Sequence, residues 1–562
     1  MKINLIIDKQ LKDNDSQIDI NIISFLFRKI KDTTKLNIVD NNSYKCDKAS
    51  INIFFNCANN LLLNFAKYNI LIPNQNLFNK NWSYTINNFD LILAKTHYIE
   101  ETFTQLVSKT KIKYIGWRST DIQNNYDKNY GEFLLFCHDT KYTNYQQIIE
   151  NWKESYPNLN VINGGFFRLN KNQSNIIHHN SLTQPQFENL YNKCGVHLCL
   201  EECYNFNHNL NQCMLVKSIP VCIVSKLNDC MYDNEDNDIL FRIHGSEEKL
   251  QKVLGKKYIF DITNLDNIIQ NIINTSVSTL EIMGENCRKY AIKSQYKSDC
   301  LFKDIFSQII KDVRNLPKTK NNIISDEDLP NVSIMTLVHN RENMFKLAIY
   351  NFNTIDYPKD KIEWVIYDTS NEDEKVEKLL PNSLERDKLN INYIYKNSKN
   401  FIGTHRNDVL EHCKYDIVAV MDDDDYYKPT NIKYRVSELI NSNVSIVGCT
   451  LLGIFDINTY VSFIDSNFNL NLGARLSPAS LCFKKNIINS NCRFCDSSIH
   501  ECKTLINNIS IKHFKEICFE DVLISLSHKN NTTNRNIPKI KPNGNHFKFN
   551  EKLLEFILKL DK

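Results

Sequence analysis

No apolar run in this 562-residue chain reaches the ~18 residues that a membrane-spanning helix needs. The opening residues, Met1 to Gln10, lack the long apolar stretch and small-residue cleavage site of a secretory signal. Charge of one sign is not in excess either. Lys and Arg number 68 and Asp and Glu 65, a net charge of +3. That balance argues against a nucleic-acid or anionic-membrane partner. The 18 cysteines are scattered. Cys492 and Cys495 are separated by Arg493 and Phe494, but no second pair follows to complete a zinc site. The cysteines read mostly as reduced, buried small hydrophobes of a cytoplasmic protein. No short-period repeat is present. What is there, 42% hydrophobic and 24% charged residues, describes a globular chain of roughly two to four domains.

Four consecutive aspartates, Asp422 to Asp425, follow the run Ile417, Val418, Ala419, Val420 and Met421. The run is short, apolar and rich in β-branched residues, so it predicts a central strand. At ~4 Å and an effective dielectric of ~20, one like-charge pair costs on the order of 4 kcal/mol. A strand that delivers such a cluster to a sheet edge calls for a cation. Hard carboxylate oxygens suit Mg²⁺ or Mn²⁺. Alternate residues of an extended segment share a side, so Asp422 and Asp424 could face one metal. An isolated acidic run is as often a solvated turn.

Residues 315–331 are polar and charged and contain Pro317 and Pro330. They predict a linker between a module at 1–314 and another at 331–550, with a tail at 551–562. Residues 280–313 carry helical spacing. Beyond the linker, strands are expected at 332–338, 364–367, 391–395 and 417–421, with helices at 344–353 and 404–412. This order argues for an α/β fold with a mostly parallel, doubly wound sheet. Ligands in such sheets sit beyond the carboxyl ends of the strands, which is where Asp368 and Asp422 fall. The first module also alternates. Its strand-like runs are 51–55, 91–94, 133–137, 196–199 and 221–224, which suggests two α/β subdomains with a break near 127–131.

Taken together, the residues of the second module resemble family 2 glycosyltransferases of the GT-A fold. His339-Asn340-Arg341 is similar to the family's first strand and loop, which touch the nucleotide. Tyr367-Asp368-Thr369-Ser370 resembles its Asp-x-Ser turn, and residues 403–407 (GTHRN) its G-x-x-x-R-N segment. MDDDDYYKP resembles its metal-binding Asp-x-Asp stretch, and Phe519 to Leu523 its Glu-Asp-x-x-Leu. The resemblance covers roughly 330–549 and implies roles. Asn340, Asp368, Arg406, Asp422 and Asp423 would bind the donor. Asp424 and Asp422 would hold Mn²⁺ or Mg²⁺, with His528 as a third ligand. Asp521 would be the general base of an inverting displacement, and Glu520 would hold the acceptor or its partner. If a helix starts at Asp521, His528 shares its face at i+7. Ordinary alternatives are a surface arginine at 406, a turn aspartate at 368 and a packing histidine at 528. Residues 476–479 fall in the acceptor region.

Residues 194–224 resemble the donor-binding part of a GT-B glycosyltransferase. Gly195, His197, Leu198, Cys199, Phe206 and His208 match its pattern. Tyr204 and Gln212 replace its two acids, and Asn205 and Asn207 its glycines. Lys95-Thr96 and Gly116 to Ser119 also look similar to it, and Lys141 could bind phosphate. A degenerate, non-catalytic GT-B-like module is expected. The whole chain resembles two-module glycosyltransferases of large DNA viruses. That implies a UDP-, GDP- or dTDP-sugar donor, a glycan or glycoprotein acceptor, and a location in the host cytoplasm or virus factory. Three alternatives stay open: two active modules, a metal-dependent phosphoryl-transfer enzyme, or a lectin-like protein built from two dead transferase folds.

Overall fold

The computed structural model describes the chain apart from residues 9–13, 31–34, 44, 138–142, 163–172, 202–205, 224–238, 317–322, 466–471, 490, 510–512, 530, 532–534, 544–545 and 561–562. The chain divides into two compact units, Met1–Lys318 and Thr319–Lys562. Among the described residues no helix is long and apolar enough to cross a membrane.

The first unit holds two six-stranded sheets, each parallel throughout. The first contains β1 (Lys2–Ile7), β2 (Lys35–Asp40), β3 (Ala49–Phe55), β4 (Ala66–Ile72), β5 (Leu91–Ala94) and β6 (Lys111–Tyr114), in the order β2-β1-β3-β4-β5-β6. The second contains β7 (Asn129–Phe136), β8 (Asn158–Ile162), β9 (Ile176–His179), β10 (Cys194–Cys199), β11 (Ile219–Ile223) and β12 (Phe241–Ile243), in the order β12-β11-β10-β7-β8-β9. Each order reverses once, as in doubly wound nucleotide-binding folds. Strands covered on both faces read as continuous apolar runs, and the first sheet shows why. Ile3, Leu5, Ile51, Ile53, Ile70 and Ile72 enter one core with Phe302 and Phe306. The alternate residues Ile6, Phe54, Leu71 and Ile92 enter another with Ile99 and Phe103.

Three helices of this unit carry or brace its candidate residues: α1 (Asn14–Arg28), α2 (His208–Leu215) and the 39-residue α3 (Val277–Asn315). Phe302, Phe306 and Val313 of α3 pack in a core of the first sheet. Its Cys287 and Ala291 pack with Cys199 and Cys222 of the second. A hairpin of β13 (Gly245–Lys249) and β14 (Lys256–Phe260) completes the unit's strands.

The second unit has a seven-stranded mixed sheet. Its strands are β15 (Val332–Val338), β16 (Ile362–Asp368), β17 (Ile391–Tyr395), β18 (Ile417–Val420), β20 (Ile446–Gly448), β23 (Cys482–Lys484) and β24 (Phe514–Glu516). The order is β17-β16-β15-β18-β23-β20-β24, and β23 runs antiparallel to both neighbours. The chain reverses its strand order between β15 and β18, which are parallel. The crevice beyond their carboxyl ends is the expected ligand position. A smaller sheet joins β19 (Tyr426–Tyr427), β21 (Leu452–Asp456), β22 (Val461–Asp465) and β25 (Leu523–Ser527), in the order β19-β25-β21-β22. Three helices matter for the site: α4 (Glu342–Thr354), α5 (Ile402–Glu411) and α6 (Cys502–Asn508).

The structure corrects one expectation. Residues after Asp521 form no helix. Leu523–Ser527 is a strand, buried along its whole length, that pairs in parallel with β21 and antiparallel with β19. The ladder on both sides satisfies its backbone, which overrides any helical spacing.

Candidate active site

The aspartate turn is pinned at both ends. Met421 N–H donates to Met335 O at 3.0 Å, and Met421 O accepts from Thr336 Oγ1 at 2.7 Å. Trp364 Nε1 donates to the same hydroxyl. Asp422 N–H donates to Tyr427 Oη at 2.9 Å, and that hydroxyl donates to Ala479 O. At the far end Asn351 Nδ2 donates to Asp425 O. The segment is no solvated acidic turn. Asp423, Asp424 and Asp425 are 2%, 8% and 5% exposed.

Buried carboxylates need partners, and each has its own set. Arg406 on α5 forks onto Asp422, Nη1 to Oδ1 and Nη2 to Oδ2, both at 3.1 Å. Its Nε reaches Glu501 Oε1 at 3.4 Å. Gly403 lets α5 approach this closely. A Cβ there would stand 1.9 Å from Cys495 O. Arg341 Nη1 donates to Asp423 Oδ1 at 3.1 Å and to Asp424 Oδ2 at 2.8 Å. Asp424 Oδ2 also meets His528 Nε2 at 3.1 Å and Asn531 Nδ2 at 3.4 Å. Asp425 Oδ1 accepts from Ser525 Oγ and Leu526 N.

The carboxyls split accordingly. Burial would raise Asp424, but Arg341 and His528 hold it well below the usual range. Burial and the Asp424 charge push Asp425 up to about 7, with Arg535 opposing. Burial also raises Asp423 well above the ordinary value despite Arg341.

Most of these groups line a cavity of about 1370 Å³, but His528 is not among its lining residues and meets the site only through Asp424. His339, Asn340, Arg341, Arg406, Asp422 to Asp425, His500, Glu501 and Arg535 all face it. Asn340 has φ 50°. It braces the loop, its N–H donating to Ser370 Oγ and its Oδ1 accepting from Asn371 N. His528 closes β25 and reaches Asp424 from the strand end rather than from a helix face.

Three expected residues lie elsewhere. Asp368 is fully buried and is not among the lining residues. Its Oδ1 accepts from Ser370 N, and its Oδ2 from Val376 N and Tyr393 Oη. It shapes the loop that faces the cavity. Glu520 and Asp521 sit on the short 3₁₀ turn Phe519–Asp521 and do not line the cavity. Asp521 is exposed. Sequence reasoning missed Glu501, which is 7% exposed and stands at the start of α6. It follows His500, whose φ of 57° is a left-handed value uncommon outside glycine. No Glu-Asp pair marks the place. Arg341 falls in the His339-Asn340-Arg341 segment, but nothing in the sequence marks it as the partner of Asp423 and Asp424.

The donor set fits a divalent cation. Asp423 Oδ2 is buried with no partner among the described residues, an orphan that a hard cation would satisfy. Asp422, Asp424 and His528 stand beside it. Among the described residues, however, no three acid, histidine or cysteine side chains already form a metal cage. The positive charge between Asp423 and Asp424 is that of Arg341.

The first unit gathers its singled-out residues differently. Lys95 Nζ lies 2.8 Å from Asp19 Oδ2, with both side chains essentially unexposed. His208 bridges Asp19 Oδ1 and Ser119 Oγ, each at 2.9 Å, and Trp117 Nε1 also donates to Asp19. The order Ser119–His208–Asp19 has the residue types of a catalytic triad, but with the imidazole reversed, Nδ1 toward the serine and Nε2 toward the aspartate. Every member is buried, and Asp19 is already bound to Lys95 and Trp117. Lys95 and His208 are thus both committed to Asp19. Asn207, at a pattern-glycine position, has φ −71° and caps α2 by accepting from Leu210 N. Lys141, Tyr204 and Asn205 lie outside the described residues.

Residues 333–501 match the model of the Glycosyl transferase family 2. That stretch lies within the second unit, and the unit's mixed, mostly parallel sheet agrees with the GT-A fold. Solved structures similar to the chain include Staphylococcus aureus TarS 1-349 in complex with UDP-GlcNAc. There the identity is 16% and the TM-score 0.30, over 36% of this chain and 60% of that one. Another is the mannosyltransferase PcManGT from Pyrobaculum calidifontis in complex with GDP-Man and Mn²⁺. It is 17% identical with a TM-score of 0.29, over 40% of this chain and 65% of that one. The chain thus spans less than two thirds of either. A comparison with curated proteins found no match.

Proposed function

We propose that the second unit transfers a sugar from a nucleotide-sugar donor to a hydroxyl of a glycan or glycoprotein, by inversion and with Mn²⁺ or Mg²⁺. The observation that carries this is the buried aspartate turn, held by two arginines and opening into a cavity large enough for donor and acceptor. Asp422, Asp424 and His528 would hold the cation. When bound, it neutralises the charge that develops on the leaving diphosphate. Arg406 fixes Asp422 and Glu501 relative to each other. The loop 339–341, braced by Asn340 and set by Asp368 beneath, forms the nucleotide wall.

A single displacement needs one base within reach of the acceptor hydroxyl. We assign that role to Glu501, because it lines the cavity and Asp521 does not. The hydroxyl proton passes to the Glu501 carboxylate. Its oxygen bonds to the anomeric carbon, and the pair of the broken C–O bond leaves with the diphosphate. Glu501→Gln is expected to lower kcat about a hundredfold, the lower end of general-base effects, with donor binding retained. Asp521→Asn is expected to stay near wild type in the same steady-state assay. The reverse ranking would return the role to Asp521.

A panel of UDP-, GDP- and dTDP-sugars, incubated with Mn²⁺ and without acceptor, tests the reaction class. A glycosyltransferase releases nucleoside diphosphate and free sugar. A phosphoryl-transfer enzyme would release nucleoside monophosphate and sugar phosphate, and a lectin neither. EDTA is expected to stop the release, and release undiminished by EDTA would remove the metal from the mechanism. For the first unit we propose a GT-B-like scaffold without turnover of its own. The setting we propose is cytoplasmic, in keeping with the scattered, mostly buried cysteines.

A further inference from the structure

Three donors crowd one oxygen of the aspartate turn. Asp424 Oδ2 takes Arg341 at 2.8 Å, His528 at 3.1 Å and Asn531 at 3.4 Å. A cation cannot coordinate that oxygen until one of them withdraws. His528 has no side-chain exposure, whereas Arg341 is 16% exposed and lines the cavity. Arg406 is the contrasting case. Its side chain is 5% exposed, and its fork is bound to Asp422 and Glu501 together. Arg341 therefore has room to leave and Arg406 does not.

The backbone supports the same reading. Arg341 follows the left-handed Asn340 and precedes the first turn of α4. Its root is thus fixed at the mouth of the crevice, within reach of what enters it. Electrostatics supply the destination. A guanidinium that gives up a carboxylate in a low-dielectric site needs another anion, and a diphosphate suits it.

We propose that Arg341 is an exchangeable counter-ion of the cation site. Without donor it neutralises Asp423 and Asp424. When a divalent cation takes Asp424, the guanidinium turns to the diphosphate arriving with it. The inference rests on the glycosyltransferase reading only for the diphosphate as the arginine's second partner. Its consequence is linkage. The cation binds weakly alone, because the Arg341 charge already neutralises Asp423 and Asp424, and the diphosphate removes that competition. By reciprocity each ligand tightens the other.

Titration calorimetry on the full chain tests this with Mn²⁺ alone, with UDP or GDP alone, and with both. In the wild type Mn²⁺ is expected to bind at least about tenfold more tightly when the nucleoside diphosphate is present, within the usual span of such couplings. Arg341→Gln should bind Mn²⁺ alone about tenfold more tightly than wild type, bind the nucleoside diphosphate less tightly, and lose most of the coupling. Arg341→Lys keeps the charge and should resemble wild type. If Arg341→Gln is too unstable for calorimetry, Mn²⁺ should raise its melting temperature by more than it raises that of the wild type. Equal or weaker Mn²⁺ binding by Arg341→Gln, or Mn²⁺ binding by neither protein, overturns the proposal. The Mn²⁺ isotherm needs no sugar donor. Transferase activity with an unchanged isotherm would therefore sink this inference alone, and a changed isotherm without transfer would sink only the glycosyltransferase reading.

Discussion

Asp424→Asn is expected to lower metal-dependent turnover about 10³-fold or more while the fold survives. Asp424 is the one carboxylate of the turn on which Arg341, His528 and Asn531 converge. Arg341 and His528 keep it ionised against the burial that would protonate it, so it is the strongest fixed charge available to a cation. The amide keeps the shape and loses the charge. A Lewis-acid contribution of several kcal/mol, at about 1.4 kcal/mol per tenfold, corresponds to that loss. Stability should change little, because removing one of four neighbouring acids relieves repulsion while Arg341 keeps Asp423. Steady-state nucleoside-diphosphate release with Mn²⁺, beside a thermal melt, checks both halves. Full turnover of the variant in EDTA would end the metal reading. Sugar transfer that persists in it and is lost on mutating His208 would assign activity to the first unit.

The framework of the second unit is legible because its central strands are buried and rich in β-branched and apolar residues, as Val332–Val338 and, to within one residue, Ile417–Val420 show. The half-buried edge strand Ile391–Tyr395 is marked instead by its isoleucines and tyrosines. The crevice followed from strand order. Side-chain destinations did not. Asp368 ends its strand on the right edge, but three nearby donors turn its carboxylate inward. Glu520 and Asp521 carry the familiar pair, yet the chain enters β25 directly after them and leaves Asp521 at the surface. Glu501 has no pair to announce it and reaches the cavity because α6 begins there. In the first unit Lys95, Trp117 and His208 each fall in a segment that the sequence marks. Their common partner Asp19 lies 76 residues from Lys95 and 189 from His208, a distance no local pattern spans.

Asp19→Asn is expected to destabilise the first unit by about 3–5 kcal/mol, the usual cost of removing one partner from a buried pair. Lys95 would lose the carboxylate beside its ammonium, which packs against the rings of Phe55 and Trp117. His208 and Trp117 would lose the acceptor they share. The pH dependence has a definite sign. Burial would raise Asp19, but Lys95 and His208 bring it down to about 2, below its usual 3.8. A carboxylate depressed on folding contributes stability that is present above about pH 4 and lost as the pH falls through about 2. Denaturant unfolding of the full chain at neutral pH should show an earlier transition for the variant. The gap from wild type should narrow below pH 4. Adding Lys95→Met should recover much of the loss, because a neutral, well-packed pair avoids the stranded charge. An Asp19→Asn midpoint equal to wild type would mean that Lys95 does not depend on this carboxylate. Its charge would then be available to a ligand, and the argument for an inert first unit would lose its main support.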